Sequence, residues 1–125
     1  MHYTELFVAI ATPDLESTTQ FYGQLLDLSI PVIIPGVYAE VTVSGLRLGF
    51  FVPKVAHRNE FLGQPGGSIS LCLEVEDLDE AIARLNQIGF PPPGSIFQTS
   101  HGREVYAYDP QGNRLILHES AKAEA

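Results

Sequence analysis

Two stretches of this chain repeat one another, and the repetition limits the fold more than any single residue does. Asp14-Leu15, in TPDLESTTQFYGQLLDL, recurs as Asp77-Leu78, in VEDLDEAIARLNQIGF, 63 residues further on. Gly45-Leu-Arg-Leu-Gly-Phe-Phe51 recurs as Gly112-Asn-Arg-Leu-Ile-Leu-His118, at an offset of 67. A repeat of this period marks one supersecondary unit built twice, with residues at matching places in the two copies.

Within each copy the periodicity changes in the same order. Glu5–Ala11 alternates as a strand and stops at Thr12-Pro13; Asp14 is then placed to cap a helix carrying Leu15, Thr18, Tyr22 and Leu25. A short strand over Asp27–Ile34 ends at Pro35-Gly36, Val37–Val43 alternates, Ser44-Gly45 turns, and Leu46–Val52 follows as a strand. The second copy opens with Ser68–Val75. Its helix carries Leu78, Ala81, Ile82, Leu85 and Ile88 and closes at Gly89, and strands at Ser95–Thr99, Arg103–Tyr108 and Asn113–His118 complete it. The expected fold is α+β: two βαβββ modules whose eight strands form cupped sheets backed by two helices. Residues 1–120 then make a single domain. Its first module is 1–52, its connector 53–67, its second module 68–120, and 121–125 is a frayed tail.

Charge narrows the partners. Seven Lys and Arg against fifteen Asp and Glu give a net charge of −8, with no basic run, which argues against nucleic acid. A cationic or neutral small ligand suits that field better. The single cysteine, Cys72, excludes an intrachain disulfide and multi-cysteine zinc patterns, and its apolar surroundings suggest a small buried core residue. The apolar stretch of MHYTELFVAI is too short to span a bilayer, so a soluble, cytoplasmic protein without membrane partners is expected.

Alternation divides the strand residues into two sets. The aliphatic set, expected to pack on the helices, is Val8, Ile10, Ala39, Val41, Val43, Leu46, Leu48, Phe50, Leu71, Leu73, Val75, Val105, Ala107, Leu115 and Leu117. The other set mixes aromatics with charges. In the first copy it holds Phe7, Ala9, Ala11, Tyr38, Glu40, Thr42, Arg47, Gly49 and Phe51; in the second, Ser70, Cys72, Glu74, Glu104, Tyr106, Tyr108, Arg114, Ile116 and His118. Such a mixture fits a concave, partly desolvated ligand surface. An alternative is a sheet-to-sheet or dimer interface in which Arg47 and Arg114 pair with the glutamates.

FVAIATPDLESTTQFYGQLLDL, LCLEVEDLDEAIARLNQIGF and YDPQGNRLILHE, with the doubled βαβββ order, resemble the vicinal oxygen chelate superfamily: glyoxalase I, bleomycin-resistance proteins and extradiol dioxygenases. The resemblance implies a divalent metal held by the first and last strand of each module. The first-strand ligand, normally His or Gln, stands seven residues before the helix-start Asp, which is Phe7 and Ser70 here. The last-strand ligand, normally Glu, stands four residues after the turn glycine, which is Gly49 and Ile116. These four residues cannot supply the nitrogen and oxygen donors that a divalent metal needs. No metal and no other cofactor is therefore expected. A relocated site would draw on His118 with Glu74 and Glu104, which share a face.

Three functions follow. The leading one is a metal-independent small-molecule-binding protein, resembling the bleomycin-resistance branch and acting as a homodimer. Phe7, Phe51, Tyr38, Tyr106 and Tyr108 would enclose an aromatic ligand, Glu40, Glu74 and Glu104 would attract a cationic group, and His101 would sit near the mouth. The second is a glyoxalase I-like lyase or dioxygenase-type enzyme with a displaced or metal-free acid–base site at His118, Glu74 and Glu104. The third is a dimeric interaction module with no ligand.

Overall fold

A computed structural model of the chain describes residues 1–61 and 66–121. Contacts divide it into two compact units, Met1–Gly63 and Gln64–Ala125. In the first unit the order is β1 (Val8–Ala11), α1 (Leu15–Leu26), β2 (Val32–Ile34), β3 (Tyr38–Val43) and β4 (Leu46–Phe51). A 3₁₀ turn at Val55–His57 and a short helix α2 (Arg58–Phe61) follow. The second unit runs β5 (Gly66–Glu74), α3 (Leu78–Gln87), β6 (Phe97–Thr99), β7 (Gly102–Tyr108) and β8 (Asn113–Ser120). Each unit forms one four-stranded sheet, ordered β1-β4-β3-β2 and β5-β8-β7-β6. The doubled α+β architecture read from the repeat is the observed one.

In each sheet the first strand pairs in parallel with the last, β1 with β4 and β5 with β8, while the remaining pairs are antiparallel. Parallel partners cannot be joined by a hairpin, so the chain must cross over the sheet, and α1 and α3 lie on that crossover path. Asp14 and Asp77 start the two helices as expected, their carboxylates accepting from Ser17 N at 3.2 Å and Glu80 N at 3.1 Å. Ahead of α1, the buried Thr12 hydroxyl accepts from Asp14 N and from Thr18 Oγ1 and donates to Asp14 O, which fixes the angle of entry.

Ile10, Leu15, Phe21, Tyr22, Ala39, Leu48 and Phe50 form the first core, with the Tyr22 and Phe50 rings 5.2 Å apart. Leu78, Leu85, Val105, Ala107, Leu115 and Leu117 form the second. The aliphatic set thus faces the helices. Its members near strand ends, Val8, Val43 and Val75, are half-buried, as are Val41, Leu71 and Leu73, and Leu46 is exposed. Phe21 is buried beside Tyr22 and belongs to the helix stripe, whereas Leu25 is only half-buried.

Several boundaries differ from expectation. The strand expected over Asp27–Ile34 shrinks to Val32–Ile34, because Asp27 takes the left-handed conformation (φ 57°) that ends α1. The connector expected over 53–67 is not irregular throughout: it contains the 3₁₀ turn and α2, and β5 already begins at Gly66. Residues 62–65 of that connector, and 122–125 of the tail, lie outside the described residues. Strand β8 continues two residues beyond His118, to Ser120. Among the described residues, no helix is long and apolar enough to cross a membrane.

This core makes a direct prediction. Leu115 is fully buried and Leu46 is 38% exposed. Leu115→Ala should lower the unfolding free energy by about 2–5 kcal/mol. Leu46→Ala should change it by about 0.5 kcal/mol or less, both read from urea denaturation.

Candidate functional site

The face of each sheet turned away from its helix carries the mixed residues. In the first unit Gly49 is central, with Ala9 beside it on β1 and Glu40 beside it on β3. A Cβ at Gly49 would stand 2.7 Å from the Tyr38 hydroxyl, so the Tyr38 ring lies across the place where a last-strand side chain would project. Arg47, one pleat away, donates from Nε to Glu40 at 2.5 Å and from Nη1 to Glu5 at 2.6 Å. Its guanidinium sits 4.1 Å from the centre of the Phe7 ring. Hydrogen bonds to Tyr38 and Glu40 hold the Arg47 pKa above its ordinary value. Phe61 of α2 meets Phe51 edge-on at 5.1 Å and extends the aromatic lining.

In the second unit Ile116 is central, flanked by Cys72 on β5 and Tyr106 on β7. Arg114 donates from Nε to Ser70 Oγ at 2.8 Å and from Nη2 to the Gly67 carbonyl. At the other end His118 stands between Glu74 and Glu104 in the strand register. Its Nδ1 is 2.7 Å from Glu74 Oε2, while Ser120 donates to Glu74 Oε1 from its amide at 3.0 Å and its hydroxyl at 2.5 Å. Glu104 reaches neither. The Nε2 of His118 is buried without a hydrogen-bond partner, and a Cβ on Gly102 would stand 3.0 Å from it and 2.0 Å from Glu119 O. Only glycine permits so close a crossing. The His101 ring, in the turn before β7, lies 5.0 Å from that of His118. Phe97 and Tyr106 meet edge-on at 5.2 Å, both well exposed.

Phe7, Tyr38, Glu40, Arg47 and Phe51 therefore share one surface of the first unit. Glu74, His101, Glu104, Tyr106, Tyr108, Arg114 and His118 belong to the second. The pairing of both arginines with glutamates, which the interface alternative required, holds for Arg47 and fails for Arg114, which has no carboxylate partner among the described residues. Cys72 is exposed, not a core residue, because Leu71 and Leu73 take the helix side of β5 and turn it outward. Glu5, Phe61, Phe97 and Ser120 join the surfaces without having been singled out. Alternation carried one pleat past each strand end would have found Glu5 and Ser120; Phe61 sits on a helix that periodicity did not reveal.

These positions do not suit a divalent metal. Phe7, Gly49 and Ile116 offer no donor, the Ser70 hydroxyl is engaged by Arg114, and a guanidinium stands beside the first-strand position of each unit. The described residues contain no group of three or more His, Cys, Asp or Glu able to hold a metal ion.

Comparison with known families matches residues 3–117 to the model of the Glyoxalase/Bleomycin resistance protein/Dioxygenase superfamily. The chain belongs to this superfamily. Among solved structures, a lactoylglutathione lyase from Agrobacterium tumefaciens superposes with a TM-score of 0.70 at 19% identity, covering 94% of this chain and 95% of that one. The fosfomycin resistance protein FosX of Listeria monocytogenes gives 0.71 at 18% identity, covering 97% and 96%. A glyoxalase/bleomycin resistance protein/dioxygenase from Nocardioides gives 0.74 at 18%, covering 99% and 88%. At these identities the likeness concerns the superfamily fold alone. No curated protein sequence matches the chain.

The Glu74 cluster predicts a pH response. Hydrogen bonds from Ser120, and then from His118, hold its carboxyl below the ordinary value of 4.5. A carboxylate depressed in the folded state contributes stability that is complete above the unfolded value and is lost as pH falls through the folded one. The urea midpoint of the wild type should therefore fall more steeply below pH 4.5 than that of Glu74→Gln.

Proposed function

We propose that this superfamily member is a metal-independent small-molecule-binding protein whose ligand is aromatic and/or cationic and rests on the open sheet faces. The carrying observation is the double substitution of the metal positions, Phe7 with Gly49 and Ser70 with Ile116, each next to an arginine. A fixed cation repels a divalent ion, and neither unit supplies the donors to overcome that. Lyase and fosfomycin-resistance functions, as named for the structural neighbours, are for this reason not transferred to this chain. The aromatic side chains that replace the donors, Phe7, Tyr38 and Phe51 in one unit and Tyr106 with Phe97 in the other, supply stacking surface. Of the three glutamates on these faces, Glu40 and Glu74 are paired, whereas Glu104 has no partner among the described residues and is open to a cationic group.

A second reading, acid–base catalysis by His118 with Glu74, draws on their 2.7 Å contact. It is weaker, because the imidazole nitrogen left to meet a substrate is the buried Nε2.

Purified, unchelated protein should contain only substoichiometric metal, and titration with zinc or manganese(II) should produce no saturable heat. One tightly bound ion per chain would overturn the reading. With no tryptophan in the chain, intrinsic fluorescence reports its tyrosines. Saturable change on adding 2-phenylethylammonium is the expected positive result.

The partner in assembly is a second copy. Val32, Ile33 and Ile34 form an edge strand half-exposed along its whole length, and an edge of this kind pairs with its own copy about a two-fold axis. Light scattering should give a dimer for the wild type and a monomer for Ile33→Lys.

A further inference from the structure

The two open faces have the same register but reversed chemistry on one strand. Opposite Arg47 and its successors on β4, strand β3 presents Thr42, Glu40 and Tyr38. Opposite Arg114 and its successors on β8, strand β7 presents Tyr108, Tyr106 and Glu104. Glutamate and tyrosine have exchanged places. In the first unit the glutamate stands one pleat from the arginine, and the ion pair closes at 2.5 Å. In the second it stands two pleats away, level with His118, and no pair forms. Arg114 is left with only neutral partners, Ser70 and Gly67, and Glu104 has no hydrogen bond or ion pair among the described residues.

We infer that the second unit binds a dipolar ligand lengthwise along β8, its carboxylate at Arg114 and its ammonium at Glu104. Arg114 and His118, level with Glu104, are four residues apart, or about 13 Å at the rise of a strand. The long side chains lean inward and shorten that span. Between the poles the surface is apolar, formed by Ile116 and Tyr106, the latter 41% exposed, with Phe97, level with Glu104 on β6, against the Tyr106 ring. Glu74, held ionised by Ser120 and His118, adds to the negative pole. The geometry selects a zwitterion about 10 Å long with an aromatic middle, the chemistry of a short free peptide. An extended tripeptide spans about 10–11 Å. In a chain of net charge −8 a guanidinium without a carboxylate is a selective anchor, because a carboxylate is repelled elsewhere on the surface.

This inference rests on the binding function proposed above and adds to it the polarity and length of the ligand. The test uses the full chain and the tripeptide Gly-Phe-Gly in three forms: free, N-acetylated and C-amidated. Affinity is measured by calorimetry, and the location by NMR shifts at Tyr106 and Ile116. The free peptide should bind tightest, and each cap should weaken it by about tenfold. Acetylation should lose its effect in Glu104→Gln, and amidation in Arg114→Gln. Arg114→Lys, which keeps the charge, should retain the penalty for amidation and guards against a folding defect. Equal binding of capped and free peptides, or penalties that persist in the neutral variants, overturns the inference. If no peptide binds but 2-phenylethylammonium still changes tyrosine fluorescence, the dipolar inference fails and the binding function stands. Silence from both probes removes both.

Discussion

Everything in this molecule follows from one helix covering one side of a four-stranded sheet. The parallel β1–β4 and β5–β8 pairs force a crossover, and the crossover helix can bury only the face on which it lands. Tyr22 against Phe50, and the buried Leu78, Leu85, Leu115 and Leu117, are where each sheet is fastened. Alternation then delivers every second strand residue to the opposite side, which neither α1 nor α3 covers and where only Phe61 of the short α2 reaches Phe51 among the described helices. That side is free of packing demands and can carry arginines, glutamates and tyrosines at little cost to stability.

The charges on these faces contribute little to folding. Arg47, Glu40 and Glu5 are each about one-third to one-half exposed, so solvent screens their ion pairs and they add little to stability. Their consequence is positional. The Arg47 network and the Tyr38 ring fill the space beside Phe7 and Gly49, and Arg114 rests on Ser70 in the other unit. The same arginine has been given a carboxylate in one copy and left without one in the other, by nothing more than the order of two residues on the neighbouring strand. Duplication made that divergence possible, since one unit can close its ion pair while the other keeps its charges apart.

The repeat, the helix caps and the aliphatic alternation were legible in the sequence because each is a local pattern with a fixed period. Asp14, Asp77 and the Asp109 turn, whose carboxylate accepts from Gln111 and Asn113, appear in the chain as they do in space. The residue types at Phe7, Ser70, Gly49 and Ile116 were legible too, since these positions are counted from the helix-start Asp residues and the turn glycines. Less was visible wherever a contact joins distant strands. That Tyr38 lies across Gly49, that Ser120 holds Glu74, and that His118 Nε2 is sealed beneath Gly102 depend on register between strands. The helix at Arg58–Phe61 escaped notice because four residues are too few to show a period.

The sequence by itself determined the doubled βαβββ order, the side of each strand that meets a helix, and the absence of metal donors at four counted positions. Those properties depend only on spacing along the chain. The tertiary structure alone decided which charges meet. Arg47 and Arg114 occupy equivalent places in the repeat, yet one is neutralised and the other is not. The difference is a one-pleat displacement of a glutamate on the adjacent strand, and it acquires meaning only once the strands are in register.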